Sequence, residues 1–178
     1  MELQDNINID LVFKCSKSVH NLTDFNSKEN NLIFTSSFWE KIFSIWIKII
    51  IDEKIKIPSS VIYKKNTFSL SFEIINNQEI SIINNKWLNK KGPTDVISFP
   101  IILKKELAND LNFIELGDLF ISLEMASKQA LEFDNSLKKE MLFLASHGLL
   151  HLLGWEHEGE SQLKSMLNLQ EYLISQSI

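Results

Sequence analysis

The chain has 178 residues, of which 44% are hydrophobic, so it can close one sizeable core, and its 5 glycines and 3 prolines leave little room for a linker. Its formal net charge of −5 is not typical of a nucleic-acid-binding protein and predicts weak affinity for free RNA, so RNA binding would depend on a local basic patch or on a protein or ribosomal context. The single cysteine, Cys15, excludes an internal disulfide and suits a reducing cytosol.

We expect neither a secretory signal nor a membrane span in this chain. Residues 1–5 are acidic and polar, which is the wrong chemistry for a secretory signal. The most apolar run, residues 42–51, is too short to cross a bilayer and contains Lys48. We therefore expect a cytoplasmic protein that does not bind membranes.

The first half of the chain predicts two strands and two helices. Residues 6–13 alternate apolar and polar side chains and predict a strand, and residues 15–32 predict an irregular surface loop with a short turn or two. Thr35-Ser36-Ser37 offers a cap for a long core helix whose apolar residues follow at helical spacing. Residues 67–75 alternate strictly and predict a second strand, and a helix is predicted over residues 79–88.

The second half predicts two short strands followed by three helices. The strands are expected at residues 95–99 and 119–122, with a hairpin loop over residues 101–116 between them. Ser122 is expected to cap a helix that runs to about Phe133, the next helix begins near Ser136, and the last covers residues 160–175. We expect an α+β fold, in which a small mixed sheet of about four strands packs against helices.

Three of the four histidines lie together at the end of the helix that begins near Ser136. His147 and His151 are four residues apart, so they project from one helix face. Gly154 can leave the helix with φ > 0 and turn the chain, which brings His157 round as a third ligand. The spacing H-x-x-x-H-x-x-G-x-x-H matches the histidines of the long zincin signature. Three imidazoles with a fourth position open are typical of a catalytic zinc centre, although nickel or copper also suits histidine.

The residue after the first histidine departs from the peptidase pattern. A zincin peptidase carries a glutamate there as general base, whereas this chain has Gly148. Peptide hydrolysis by the usual route therefore lacks its base. Lewis-acid chemistry at a phosphoryl oxygen does not need that base, so phosphodiester hydrolysis is favoured over proteolysis.

Three segments of the chain together resemble one protein family. Residues 147–157, HGLLHLLGWEH, are similar to the signature HGxLHLxGYDH, residues 93–100, PTDVISFP, to PTDVLSFP, and residues 117–122, GDLFIS, to GDIxIS. The family is YbeY, the bacterial rRNA maturation factors that act as metal-dependent, single-strand-specific endoribonucleases. The segments occur in the family's order within residues 68–178, and the resemblance implies one YbeY-like domain over residues 1–178.

The resemblance implies a fold, a substrate and partners. It implies a sheet crossed by the metal helix, distantly like the zincin core, with one zinc ion on His147, His151 and His157. It implies a role in the 3′-end maturation of 16S rRNA and in ribosome quality control. The expected substrate is single-stranded rRNA, and the expected partners are the small ribosomal subunit and its assembly factors.

Two positions depart from the family pattern. Glu156 stands where the family most often has aspartate; it can orient a histidine, carry a proton from the attacking water or remain a solvated acid. Alignment back from Pro93 puts Leu88 where the family has a functionally important arginine, and this chain contains no arginine. Arginine would hold phosphate through a bidentate fork, which leucine cannot do.

Lysines near Leu88 offer a substitute charge. We identify Lys90 and Lys91 as candidate substrate-binding residues; with Lys86, and with Lys104 and Lys105, they could form a basic rim, although a lysine run is also typical of an ordinary solvated surface. Two functions therefore stay open. The open three-histidine site favours a metal-dependent endoribonuclease, with Glu156 as the candidate catalytic carboxylate. The missing arginine favours a ribosome-assembly binding factor whose metal is structural.

Overall fold

The computed structural model describes residues 7–20, 31–58, 62–63, 65–101, 112–157 and 159–177. Within these ranges, four strands form one mixed sheet and helices cover its faces. In chain order, the elements are β1 (Asn8–Cys15), α1 (Lys17–His20), α2 (Ser36–Asp52), β2 (Thr67–Ile75), α3 (Asn77–Leu88), β3 (Val96–Pro100), β4 (Ile114–Ser122), α4 (Leu123–Glu132), α5 (Leu137–Leu152) and α6 (Glu160–Ser175).

The strand order of the sheet is β1-β2-β4-β3. β1 runs parallel to β2 and β2 parallel to β4, whereas β3 is antiparallel to β4 and forms an edge. The predicted α+β fold with a small mixed sheet of about four strands is confirmed. In the described part of the chain, no helix combines the length and the apolar character that a membrane crossing requires.

The two faces of the sheet bury different apolar clusters. On one face, the aromatic residues of α2 pack on β2: Phe72 makes edge-to-face contacts with Trp39 and Phe43. α5 belongs to the same cluster through Leu149 and Leu150. The opposite face carries a smaller cluster of α3 and sheet residues, formed by Ile75, Ile80, Ile97, Ile83, Phe99 and Phe120. β3 therefore has α5 on one side and α3 on the other.

Strand β4 is longer than predicted, because a bulge interrupts its alternation. Glu115 and Gly117 pair with consecutive residues of β2, so the residue between them has no partner. The buried side chains are therefore at even-numbered positions before the bulge (Ile114 and Leu116) and at odd-numbered positions after it (Leu119 and Ile121). Gly117 has φ 127°, and a Cβ there would collide with the carbonyl oxygen of Phe99. The predicted loop over residues 101–116 was therefore wrong for its last three residues, while residues 102–111 lie outside the described ranges.

In the N-terminal part of the chain, one local prediction agrees with the structure and another needs correction. The loop predicted over residues 15–32, with a short turn or two, contains the single-turn helix α1 at Lys17–His20, while residues 21–30 lie outside the described ranges. Thr35 is the N-cap of α2, but its side chain does not cap the helix; its hydroxyl donates to the carbonyl of Leu32 instead. Helix α3 begins two residues earlier than predicted. Unlike α2, it is capped by side chains, because Asn76 and Glu79 form a capping box.

Candidate metal centre

Helix α5 carries two of the three clustered histidines, and its ends are well defined. At the start, the side chain of Ser136 accepts a hydrogen bond from the backbone N–H of Lys139, as predicted from its position. At the end, Gly154 has φ 88°; its N–H donates to His151, and the N–H of Trp155 donates to Leu150. This is a Schellman motif, which satisfies the last carbonyls and turns the chain back toward the helix. The prediction that Gly154 ends the helix is confirmed.

Gly148 lies on the sheet side of α5. A Cβ added at this position would collide with the Leu119 side chain and would lie 3.4 Å from the Val96 side chain. The missing side chain therefore lets the helix approach β3 and β4 closely. Because position 148 faces the packed core, a glutamate there would have to displace the Leu119 side chain or move the helix away from the sheet. This agrees with the prediction that the site lacks the peptidase base.

The three histidines converge on one point. The ring nitrogens that could serve as ligands all lie within 4.8 Å of one another. The closest pair, Nε2 of His147 and Nε2 of His151, is 3.1 Å apart. A tetrahedral zinc ion with Zn–N bonds of about 2.0–2.1 Å needs ligand nitrogens about 3.3 Å apart. His147 and His151 are half-buried and His157 is exposed, so the site opens to solvent on one side.

Hydrogen bonds at the opposite ring nitrogens fix the tautomers of His147 and His151. Nδ1 of His151 lies 2.7 Å from the carbonyl oxygen of Trp155, which can only accept, so Nδ1 carries the proton. Nδ1 of His147 lies 3.1 Å from Oε1 of Gln170. The amide of Gln170 is oriented by its Nε2, which donates to the carbonyl of Phe143 at 3.1 Å. Nδ1 of His147 is therefore also a donor.

These tautomers leave two lone pairs facing each other. With hydrogen on Nδ1, the Nε2 atoms of neutral His147 and His151 carry none, so they cannot hydrogen-bond to each other. Two acceptors 3.1 Å apart repel unless a cation or a proton lies between them. Burial lowers the pKa of both His147 and His151, and the neighbouring imidazoles lower it further, which favours the neutral forms that bind metals. The donor set therefore fits a metal ion that prefers nitrogen ligands.

Among the described residues, none of the other predicted site residues forms a hydrogen bond to a histidine of the triad. Glu156 is exposed; its charge acts on His151, but within the described ranges it forms no hydrogen bond to a histidine. Lys90 and Lys91 are exposed in the turn between α3 and β3. Leu88, at the end of α3, is 44% exposed. Lys104 and Lys105 lie outside the described residues.

Two residues near the triad were not identified from the sequence. Gln170 is fully buried on α6 and supports His147. The sequence position of Gln170 could have revealed its burial, because it lies within the apolar stripe of α6 that is formed by Met166, Leu169, Leu173 and Ile174. Asp95 precedes β3, and its carboxylate accepts hydrogen bonds from the backbone of Val96, from Thr94 and from Gln129. The charge of Asp95 acts on His147.

Comparisons with known proteins agree with this geometry. A family model described as endoribonuclease YbeY matches residues 24–177. A protein named endoribonuclease YbeY from Prochlorococcus marinus subsp. pastoris (strain CCMP1986 / NIES-2087 / MED4) is 61% identical over 170 residues, which cover 95% of this chain and 94% of that protein. A protein of the same name from Synechococcus sp. (strain CC9605) is 38% identical over 143 residues, which cover 80% of this chain and 86% of that protein.

A solved structure shares the fold. The solution structure of TM1509 from Thermotoga maritima aligns with a TM-score of 0.54 and 21% sequence identity, over 94% of this chain and 88% of that one. At this identity the likeness concerns the fold alone.

Proposed function

The chain belongs to the endoribonuclease YbeY family, and from this premise we propose that it is a metal-dependent endoribonuclease specific for single-stranded RNA. In this proposal the 178 residues act as one domain in the cytoplasm. Its task is the 3′-end maturation of 16S rRNA and ribosome quality control, in contact with the small ribosomal subunit and its assembly factors.

The observation that supports the proposal most is the pair of Nε2 atoms 3.1 Å apart whose rings are fixed from behind. We propose that His147, His151 and His157 hold one zinc ion, with nickel as the alternative. Two of these imidazoles are oriented before a metal arrives, by Gln170 and by the carbonyl of Trp155. Such support from behind raises metal affinity, because binding does not have to fix the rings.

The chemistry divides between the metal and the chain. When bound, the ion supplies Lewis acidity for a phosphoryl oxygen and lowers the pKa of a water molecule. The three histidines would hold the ion near the C-terminal end of α5, where His157 is exposed to solvent. Glu156 lies next to His157, exposed to solvent, where its carboxylate can accept a proton from the attacking water. Lys90 and Lys91 contribute positive charge for phosphate in place of the missing arginine.

One observation favours a second function, a ribosome-assembly factor with a structural metal. The family's arginine position is occupied by Leu88, which offers no charge to a phosphate. Lysine also binds phosphate as a point charge, without a bidentate fork. We therefore retain the endoribonuclease as the main proposal and treat the assembly factor as the alternative that the following experiment separates.

The experiment measures metal content and RNA cleavage on the same protein samples. We expect the purified protein to bind one equivalent of metal and to cleave a single-stranded fragment of the rRNA 3′ end. His151→Ala should lose both, whereas His20→Ala, which changes the fourth histidine, should lose neither. Bound metal without cleavage would favour the assembly factor. Failure of the purified protein to bind metal would refute the proposed site.

A further inference from the structure

Trp87 is a large aromatic side chain that the fold leaves exposed. It lies in the last turn of α3 and is 64% exposed, whereas Trp39 and Trp46 are fully buried. Its indole contacts Phe99 of the edge strand β3, with ring centroids 6.0 Å apart. The Nζ atom of Lys86 lies 5.0 Å from the ring centroid. The ring is thus held on two sides while most of its surface faces solvent.

The stretch of chain that contains Trp87 has a charge opposite to that of the whole chain. Residues 86–91, KWLNKK, carry three lysines and no acid, whereas the chain has a net charge of −5. Lys86, Lys90 and Lys91 are all exposed, and none of them forms an ion pair with a described residue. An aromatic ring among unpaired cations is the combination that binds single-stranded nucleic acid.

The turn that carries these lysines is fixed by a buried side chain. Asn84 is 4% exposed, and its Nδ2 donates to the carbonyl of Gly92 at 3.0 Å. Its own carbonyl accepts from the N–H of Lys90, and Asn89 adopts the left-handed conformation that ends α3. The backbone of the basic turn is therefore ordered in the free protein, which reduces the entropy cost of binding a ligand.

Strand β3 connects this surface to the histidines. Phe99 contacts Trp87 on one face of the sheet, and Val96 faces Gly148 of α5 on the other. The two residues are three positions apart, which is about 10 Å along a strand. The edge strand β3 therefore lies between Trp87 and the helix that carries His147 and His151.

We propose that Trp87 is a stacking platform for one unpaired base of the RNA strand, and that Lys86, Lys90 and Lys91 bind the phosphates beside that base. The proposal rests on the proposed function, because it takes RNA as the substrate. A paired base presents only its edges, so its face cannot stack on the indole. Trp87 thereby provides a physical basis for selection of single strands over duplexes, without preference among the bases.

The test is a binding measurement that does not depend on cleavage. All variants are made in a His151→Ala background, and the probe is a short, fluorescently labelled single-stranded oligoribonucleotide followed by anisotropy. Trp87→Ala should weaken binding by roughly tenfold or more, because stacking is lost, and Trp87→Phe should retain most of the affinity. Circular dichroism verifies that each variant is folded.

Phe133 provides a matched control. It is an aromatic residue of the same exposure, 65%, but it lies between Glu132 and Asp134 instead of among lysines. Phe133→Ala should leave binding unchanged. A Kd for Trp87→Ala within twofold of the parent, or an equal loss in Phe133→Ala, overturns the stacking proposal and leaves the proposed hydrolysis untouched. Conversely, binding that depends on Trp87, in a protein whose unmutated form cleaves no RNA, supports the platform and refutes the proposed function.

Discussion

Replacement of Gln170 by leucine tests whether the support behind His147 matters for metal binding. Oε1 of Gln170 accepts from Nδ1 of His147 at 3.1 Å, and its Nε2 donates to the carbonyl of Phe143 and to the hydroxyl of Ser146. Leucine has a similar size but no polar atoms, so the buried Nδ1–H of His147 loses its acceptor. Loss of such a partner behind a metal-binding histidine costs about 10- to 100-fold in affinity, which is about 1.4–2.7 kcal/mol.

Proton competition cannot account for this loss. The hydrogen bond from His147 to Gln170 raises the pKa of His147, so its removal lowers that pKa further. At pH 7 the imidazole of the variant is therefore at least as neutral as before, and a weaker affinity must come from the lost orientation and the lost acceptor.

The assay is a competition titration of metal-free protein with zinc and a chelator of known affinity. Asn168→Leu is the control, because Asn168 lies on the same helix and is exposed. We expect a zinc Kd about 10- to 100-fold higher for Gln170→Leu and no change for Asn168→Leu. A Gln170→Leu Kd within twofold of the wild-type value would show that His147 does not depend on this hydrogen bond.

Three further predictions concern packing and ionisation. Gly148→Ala should lower the free energy of unfolding by about 1–2 kcal/mol, since overpacking against the fully buried Leu119 exceeds the gain in helix propensity; equal denaturation midpoints for Gly148→Ala and wild type would contradict this. Burial, and to a smaller extent the charge of Glu79, raises the pKa of the Cys15 thiol to about 11. Alkylation of Cys15 by iodoacetamide should therefore be slow at pH 8 and become faster as the pH rises toward the pKa. An alkylation rate that is already maximal at pH 8 would disprove this prediction. Burial raises the pKa of Glu140 above its usual 4.5, so Glu140 ionises at a lower pH in the unfolded state than in the folded state. The free energy of unfolding should therefore fall as the pH rises above 4.5, and Glu140→Gln should lessen this fall. Identical pH profiles of wild type and variant in urea titrations would contradict the prediction.

The sequence predicted the elements whose periodicity is uninterrupted. The strict alternation of residues 67–75 corresponds to β2, with bounds Thr67–Ile75, and the last helix also has the predicted bounds, Glu160–Ser175. β4 was mostly missed, because the bulge at Gly117 shifts the buried side chains from even to odd positions, and a window that requires one register detects only the second part. Bulges depend on the neighbouring strand, so a single strand's sequence does not reveal them.

The same distinction between local and remote information applies to the site. The three histidines lie within eleven residues of chain, and helix geometry brings His147 and His151 together, so their spacing was sufficient to predict the cluster. What makes them suitable ligands comes from elsewhere. Gln170 is 23 residues beyond His147 and lies on another helix, and its hydrogen bond determines which nitrogen of His147 faces the other histidines.

Gly148 combines both kinds of information. From the sequence, it was interpreted by what it lacks, the carboxylate of a peptidase. In the fold, it is the point at which α5 contacts β3 and β4, where a larger residue would collide with Leu119. In this chain a glutamate at position 148 would have to displace the Leu119 side chain or move α5 away from the sheet, so acquiring the peptidase base by one substitution would disturb the core. Restriction to phosphodiester chemistry, as proposed above, would then follow from core packing as much as from the ligands of the metal.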